Sequence, residues 1–220
     1  MRVCLVFCTI IVVQSSSITP NFFFSKFQAV EYITSSWNAY IDTWFIPEAT
    51  YFKLYIDYKA TLLFGASNVA WSSQYNFVSY MTTSLFQAYF WTNWNVHLDY
   101  NISNWTRYKH VVEANNWTAK LMNETETSTL AQISYTWWLR ATWDLNFWLF
   151  RRLEKPQYTT YASWTLYACK MRTTWNVLVR DFKPAYRKSD NVIWLLDVLN
   201  KVFYTNAWSW SFSKWSDIPR

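Results

Sequence analysis

Residues 158–182 read YTTYASWTLYACKMRTTWNVLVRDF, the most regular pattern of apolar side chains in this chain. Apolar side chains recur at alternating intervals of three and four residues, the spacing of one face of an α-helix. The pattern comprises Tyr161, Trp164, Ala168, Met171, Trp175, Leu178 and Phe182. Pro184 follows, and proline ends a helix because it lacks an amide hydrogen. The spacing therefore predicts an amphipathic helix.

The same spacing recurs along most of the chain, with Pro47 and Pro156 as further breaks. Six to seven amphipathic helices with short connections favour an all-α fold, an antiparallel bundle. The chain also has 17 Trp, 16 Tyr and 16 Phe but a single glycine, Gly65. Hairpin turns and phosphate-binding loops use glycine where φ is positive, so the composition argues against both. Gly65 is interpreted as a helix terminator.

One segment, between Ala60 and His97, contains no Asp, Glu, Lys or Arg. A charge-free stretch of this length is a candidate for membrane insertion. Ser, Thr, Asn and Gln are scattered through it, however, and they make insertion less favourable. We expect a central buried helix over residues 60–98, with conditional insertion as the alternative.

The first residues have the features of a secretory signal peptide. Arg2 precedes an uncharged run at residues 3–13, and small residues follow up to Ser17. A membrane anchor is the alternative, but a spanning helix needs about 20 apolar residues. We predict a signal peptide at 1–17, a single helical domain at 18–220, and secretion to the extracellular space or a secretory vesicle. Cleavage leaves Cys169 as the one cysteine, so no internal disulfide can form.

Four N-x-S/T sequons are clustered within a short stretch of the chain. In a secreted protein they predict a solvent-facing, glycosylated surface. The acceptor residues are Asn101, Asn104, Asn116 and Asn123.

Basic residues are concentrated in the second half of the chain. Ten of them lie between residues 140 and 188, with only Asp144, Glu154 and Asp181 as acids. A solvated helix face is the ordinary explanation. In a secreted protein, such a face can also bind an anionic lipid, glycan or acidic protein, whereas nucleic acid is excluded by export. This basic patch comprises Arg140, Arg151, Arg152, Lys155, Lys170, Arg172, Arg180, Lys183, Arg187 and Lys188.

Some aromatic residues fall outside the helical pattern. From residue 207 to 215 every second side chain is large or aromatic, which predicts an extended aromatic C-terminal tail. Such a tail could strap the bundle or bind a partner or a membrane interface, where tryptophan is enriched. The aromatic binding candidates are Trp91, Trp94, Trp208, Trp210, Phe212 and Trp215.

No catalytic signature is present, and we predict that the protein is not an enzyme and has no metal or cofactor. His97 and His110 lack metal-ligand spacing to each other or to Cys169. Cys169 is expected to be a buried structural thiol.

Two functions remain open. The first is a secreted, non-enzymatic glycoprotein that binds an anionic membrane, glycan coat or protein through its basic helix face and exposed aromatics. The second is a carrier of an apolar small molecule, such as a carotenoid, retinoid or fatty acid, in an aromatic-lined helical cavity.

Two short stretches support a family resemblance. They are Tyr89-x-x-Thr92-x-Trp94-x-x-x-Leu98-x-Tyr100 and the later Trp148-Leu-Phe-Arg151-Arg152-Leu. Together they resemble the basic, all-helical sperm acrosomal proteins of abalone-type gastropods, which comprise lysin and its membrane-fusing relative. Lysin opens the egg envelope without enzymatic activity. The resemblance implies a helical fold and a role in gamete recognition or egg-envelope interaction, with basic residues on an outer helix face.

Overall fold

A computed structural model gives the architecture of the chain. It describes residues 25–35, 39–47, 51–59, 64–67, 76–81, 84–89, 97–103, 106–115, 117–134, 146–152, 160–161, 165–205 and 212–218. Throughout these ranges the regular elements are β-strands, with one 3-10 turn at Thr174–Asn176. The prediction of an all-α helical bundle is therefore wrong.

The described strands are two to eleven residues long. They are β1 (Phe27–Ala29), β2 (Ile33–Ser35), β3 (Ile41–Asp42), β4 (Tyr51–Lys59), β5 (Phe64–Ser67), β6 (Asn76–Met81), β7 (Leu85–Tyr89), β8 (His97–Asn101), β9 (Arg107–Asn115), β10 (Thr118–Asn123), β11 (Thr129–Ser134), β12 (Trp148–Leu149), β13 (Arg151–Arg152), β14 (Thr160–Tyr161), β15 (Thr165–Thr173), β16 (Val177–Arg187), β17 (Val192–Asp197), β18 (Val202–Tyr204) and β19 (Phe212–Lys214).

These strands form two main antiparallel sheets. The larger, 11-stranded sheet is open and runs in the order β11-β10-β9-β4-β15-β16-β17-β18, with β1 beside β16 and β2 between β15 and β19. The second sheet has six strands in the order β3-β12-β5-β6-β7-β8, and β13 pairs with β14. One hydrophobic core contains side chains of both main sheets, such as Leu54 and Phe86, so the sheets pack face to face.

Strand β4 shows why this sequence forms strands. Phe52, Leu54, Ile56 and Tyr58 alternate with more polar residues, and all four are buried in the core. Alternate residues of a strand point to opposite faces, so this pattern buries one face of β4. β-Branched and aromatic residues also favour strands over helices. The intervals of three and four arise because half of the residues are hydrophobic, and a pattern that dense matches several periods.

Within the segment 158–182, the described residues 165–182 form a hairpin, not a helix. Strand β15 pairs with β16 through partners such as Cys169 and Phe182, and with β4 through Cys169 and Ile56. Residues 60–98 do not form the expected central helix either, because their described parts are strands of the second sheet. Among the described residues there is no α-helix with the length and hydropathy of a membrane span.

Hairpins form here without glycine, contrary to expectation. Residues other than glycine take positive φ in the turns, among them Trp175 at 64° and Asn176 at 61°, between β15 and β16. Asn191 and Lys201 do the same in the next two turns. Gly65 is not a helix terminator but lies within β5, at a φ of 154° that favours glycine. Asparagine replaces glycine at some turns because it tolerates the left-handed region.

The backbone of Trp175 makes a testable contribution to stability. A bulky residue in the left-handed region costs about 1 kcal/mol relative to asparagine or glycine. The Trp175 side chain is 91% exposed and so gains little from burial. We expect Trp175→Asn to raise the free energy of unfolding by about 1 kcal/mol, measured by urea denaturation. A loss of stability would show that the ring contributes packing that outweighs the strain.

Candidate functional site

The outer face of the large sheet, opposite the core, carries a polar groove of about 560 Å³. Strands β4 and β15 lie along it, and the β10–β11 turn, β16 and the segment after β1 complete its walls. We call it the outer groove. Its lining includes Glu31, Tyr55, Asp57, Arg107, Glu124, Glu126, Tyr167, Lys170, Arg172 and Lys183.

One side of the outer groove is a network of ion pairs. Arg107 donates to both oxygens of the buried Asp57, from Nε at 2.7 Å and Nη2 at 2.8 Å, and its guanidinium lies 3.7 Å from the centre of the Tyr167 ring. These hydrogen bonds to Asp57 are the main reason that the pKa of Arg107 is raised. The network places Asp57, Glu124 and Glu126 along this side, which we call the acidic wall.

The β10–β11 turn supplies two of these carboxylates. Lys53 Nζ lies 2.7 Å from Glu126 and 2.9 Å from Glu113, and Lys109 Nζ lies 2.9 Å from Glu124. Lys53 is itself buried, and an unpaired buried ammonium would be unfavourable. The two glutamates of the turn therefore hold it over the sheet.

The other side carries cations without carboxylate partners. Lys170 and Arg172 are two residues apart on the same face of β15, and Lys183 reaches the groove from β16. Within the described residues, none of the three has a carboxylate within 4.0 Å. Asp181 lies opposite Lys170 in the strand register but forms no ion pair with it. Lys170 Nζ instead lies 5.9 Å from the centre of the Tyr55 ring, and Arg172 donates to the carbonyl of Asn176. We call Lys170, Arg172 and Lys183 the basic wall.

A second surface lies at one end of the sandwich. Of the eight large hydrophobic side chains that are exposed in the described ranges, five occur in the loops at this end and a sixth, Val177, is the first residue of β16. We call it the tryptophan end. Its residues are Trp44, Ile46, Trp117, Trp175, Val177 and Leu199.

Strand register shows that these loops share one end. Tyr51, the first residue of β4, pairs with Asn115, the last residue of β9, and Trp117 lies in the turn that follows. Lys53 pairs with Arg172, just before the turn with Trp175. The two turns are three strand spacings apart, or about 14 Å.

Two further loops lie at the same end of the sandwich. Asn200, in the β17–β18 turn with Leu199, donates from Nδ2 to the carbonyl of Val179 at 2.8 Å. Arg180 Nη2 lies 3.4 Å from the carbonyl oxygen of Trp44. Both contacts are near the start of β16, so the four loops surround one end of the core.

The predicted basic patch is divided between different environments. Lys170, Arg172 and Lys183 meet at the outer groove. Arg180 lies on the core side of the sheet, where it contacts Asp197 and residues 43–44, so its prediction as an outward-facing residue is wrong. Arg187 is paired with Asp190, and Lys188 is exposed. Arg140 and Lys155 lie outside the described residues, and only the backbone of Arg151 and Arg152, in β13, is described.

The aromatic candidates are only partly described. Phe212 is a buried core residue, and Trp215 is 58% exposed and stacks on Tyr32 with ring centres 5.7 Å apart. In the tail that was predicted to be extended, β19 forms a strand. Trp91, Trp94, Trp208 and Trp210 lie outside the described residues, as does the predicted signal peptide.

Two of the four sequons can be placed. Asn101 is exposed at the end of β8. The Asn123 side chain organises the β10–β11 turn, since its Oδ1 accepts from the amides of Thr127 and Ser128 and its Nδ2 donates to Thr125 and Thr127. Asn104 and Asn116 lie outside the described residues.

Two of the groups considered for catalysis, Cys169 and His110, are buried. Cys169 is buried, as predicted, and burial raises the pKa of its thiol well above the ordinary value. His110 is buried as well, and burial lowers its pKa to about 4. Across the described part of the chain, no group of three or more His, Cys, Asp and Glu could hold a metal ion.

Sequence reasoning missed both Trp117 and Trp175 as surface residues. The helical spacing places Trp175 on a buried stripe, whereas its exposure depends on a turn. The signal that could have located it is the pair Trp175-Asn176 between two alternating segments, since asparagine favours hairpin turns. A scan against models of known protein families and a search of curated proteins both found no match to this chain.

Proposed function

We propose that this protein is a secreted, non-enzymatic binding protein that attaches to an anionic membrane surface through its tryptophan end. The observation that carries the proposal is Trp175, which is 91% exposed at a hairpin tip and has a left-handed backbone. Trp44, which is 67% exposed, also has positive φ, at 48°. A bulky, exposed side chain in such a backbone position gains little from burial to offset the strain, which makes it a candidate for function.

The shape of the tryptophan end favours a membrane over a small molecule. Trp117 and Trp175 are at separate loop tips, about 14 Å apart by strand spacing. Separate tips do not enclose a ligand, but they can enter a soft interface together. The indole ring has an apolar body and one N–H donor, so it partitions to the boundary between lipid headgroups and acyl chains.

The charge of this end favours an anionic lipid. The four loops, at residues 43–47, 115–118, 174–177 and 198–201, contain no Asp or Glu, and their one charged residue is Lys201. A lysine or arginine near an anionic membrane contributes about 1 kcal/mol. The chain as a whole has a formal net charge of +6, which adds long-range attraction.

Vesicle binding tests this proposal directly. We expect the purified protein to sediment with vesicles of phosphatidylcholine and phosphatidylserine and its tryptophan emission to shift to the blue. Trp175→Asn and Trp117→Ser should each weaken binding by about tenfold, and the double variant by about a hundredfold. Added salt should weaken binding through screening.

The chain offers a matched control at the opposite end. Trp215 is exposed to a degree similar to Trp117, and it lies beside β2, which pairs with the far end of β15. Trp215→Ser should leave vesicle binding unchanged. Because Trp175→Asn is expected to be stabilising, its loss of binding could not be ascribed to unfolding. Equal binding by the wild type and the double variant would overturn the proposal.

Glycosylation provides an independent check. The sequon at Asn116 includes Trp117, and a glycan there would hold a polar chain beside this ring. We expect mass spectrometry of vesicle-bound protein to show Asn116 without a glycan. An occupied Asn116 in bound protein would contradict the placement of Trp117 in the lipid.

The other two functional hypotheses each assume a helical fold. A carrier cavity between helices is not consistent with a sandwich in which core rings such as Phe52 and Phe147 pack with centres 5.5 Å apart. The resemblance to sperm acrosomal proteins implied an all-helical fold, which the described strands contradict. We therefore propose neither the carrier role nor the egg-envelope role.

A further inference from the structure

We infer that the outer groove binds a sugar or similar polyol that carries a phosphate or sulfate monoester. This site is separate from the tryptophan end, and the inference does not depend on membrane binding. It rests on a difference between the two sides of the groove. The carboxylates of the acidic wall form ion pairs with cations, whereas the cations of the basic wall have no carboxylate partner among the described residues.

The basic wall can hold a monoester anion. Lys170 and Arg172 are two residues apart on β15. When the antiparallel pairing is continued one residue beyond Cys169 and Phe182, Lys183 of β16 lies opposite Ala168. Lys170 therefore lies between Arg172 and Lys183. The long side chains of neighbouring positions can converge on one tetrahedral group. Arg172 donates a hydrogen bond from Nη1 to the carbonyl oxygen of Asn176 at 2.9 Å, and this bond restricts the orientation of the guanidinium. A phosphate or sulfate would supply the anionic partner that these three cations lack.

The acidic wall requires that the ligand also carry hydroxyl groups. An inorganic anion can contact the basic wall but has no hydroxyl groups to donate to the carboxylates across the groove. Sugar hydroxyls donate hydrogen bonds, and Glu124 and Glu126 each have a second carboxylate oxygen besides the one that its lysine contacts. Glu31, on the same groove, has no cation within ion-pair distance in the described residues and can accept as well.

Two tyrosines fit the same ligand. Burial, followed by nearby carboxylates, raises the pKa of Tyr55, and burial is the main cause that raises that of Tyr167. Both hydroxyls are therefore neutral. The Tyr55 hydroxyl donates to Glu124 Oε1 at 3.5 Å and can accept from a ligand, whereas the Tyr167 hydroxyl can donate or accept. A groove of about 560 Å³ is within the range of sites that bind small molecules. Because Arg107 stacks on Tyr167, the interaction there is polar rather than an aromatic platform for a sugar ring.

Titration calorimetry with simple probes tests the inference. The probes are galactose 6-sulfate and glucose 6-phosphate, which share the monoester and the hydroxyl groups, with galactose and inorganic sulfate as comparisons. We expect binding of at least one ester at millimolar concentration, and at least tenfold weaker binding of galactose and of inorganic sulfate. The stronger ester identifies the anion that the site prefers.

Variants separate this site from the rest of the surface. Lys170→Gln and Lys183→Gln should each weaken ester binding about tenfold, the effect of one lost charge-assisted contact. Lys188→Gln, an exposed basic residue outside the groove, is the matched control and should bind normally. The Trp117→Ser/Trp175→Asn double variant should also bind the ester normally, so failure of the membrane proposal would not affect this result. Absence of binding by both esters, or equal binding by the Lys170→Gln variant, would overturn the inference.

Discussion

Replacing Asp197 with alanine is expected to lower the free energy of unfolding by about 4 kcal/mol. Asp197 has no exposed surface, although it is a charged residue near the β17–β18 turn. Its Oδ1 accepts hydrogen bonds from the backbone amides of Asp181, Leu199 and Asn200, at 3.1 to 3.3 Å. Its Oδ2 accepts from the side chain of Asn200 at 2.6 Å and lies 3.7 Å from Arg180 Nε. Alanine would remove this buried acceptor from all of these donors at once.

The measurement is urea unfolding of Asp197→Ala, Asp197→Asn and the wild type. Asparagine keeps one acceptor oxygen but presents an amide to the donor groups of Asn200 and Arg180, so an intermediate loss of about 2 kcal/mol is expected. Asp99, whose side chain is 45% exposed, provides the control, and Asp99→Ala should change stability by less than about 1 kcal/mol. A loss as small for Asp197→Ala would contradict the structural role of this carboxylate.

The second large effect is a loss of stability in mild acid that depends on His110. The ring is buried, lies among Phe86, Tyr100 and Tyr108, and has Nδ1 at 3.1 Å from the hydroxyl oxygen of Tyr58. Burial lowers its pKa from the ordinary value of 6.5 to about 4. Between these two values the unfolded chain binds a proton at His110 that the folded protein does not. Stability from this group is therefore complete above pH 6.5 and falls as the pH decreases toward 4.

The expected loss between pH 7 and pH 4.5 is about 2.5 kcal/mol from His110 alone. Carboxylates also titrate in this range, so the comparison needs a variant without the histidine. In the Tyr58→Phe/His110→Phe double variant both polar partners become apolar rings, which is nearly neutral for stability at pH 7. We expect its decrease in unfolding free energy between the two pH values to be smaller than that of the wild type by about 2.5 kcal/mol.

The single variants test the hydrogen bond itself. Tyr58→Phe would leave Nδ1 of His110 buried without its partner and should cost about 1 to 3 kcal/mol at pH 7. If wild type and double variant lost the same stability in acid, His110 would have to be protonated in the folded state, contrary to its surroundings. Both proteins should be measured at one ionic strength, because surface charges are screened by salt.

Strand β4 illustrates how much of the fold the amino-acid sequence can reveal. Phe52, Leu54, Ile56 and Tyr58 alternate with Lys53 and Asp57, which is a plain signal for a strand with one buried face. The apolar intervals of three and four residues indicate a helix instead. The presence of a single glycine also favours a helix, because hairpin turns commonly use glycine. In the structure, asparagine and strained residues such as Trp175 take the positive φ values of the turns in place of glycine. The amino-acid composition does not reveal this.

The candidate surfaces show a similar division. Lys170, Arg172 and Lys183 are recognisable as basic residues, but nothing in their spacing separates them from Arg180, which contacts Asp197 on the other face of the sheet. Their grouping depends on the register between β15 and β16 and on the bulge near Met171. A one-residue change of register would move each of these side chains to the opposite face.

The amino-acid composition was sufficient to predict the properties that depend on residue type alone. An aromatic-rich chain with few charges predicts a large hydrophobic core, and the buried Cys169 and the excess of basic residues in the second half follow from the sequence in the same way. The fold class, the pairing of Lys53 with two glutamates and the shared end of Trp117 and Trp175 depend on contacts between distant residues. Cys169 and Ile56, for example, are neighbours only because β15 pairs with β4. Such pairings are decided by the burial of two complementary sheet faces, a free energy that belongs to the assembled core and to no single segment.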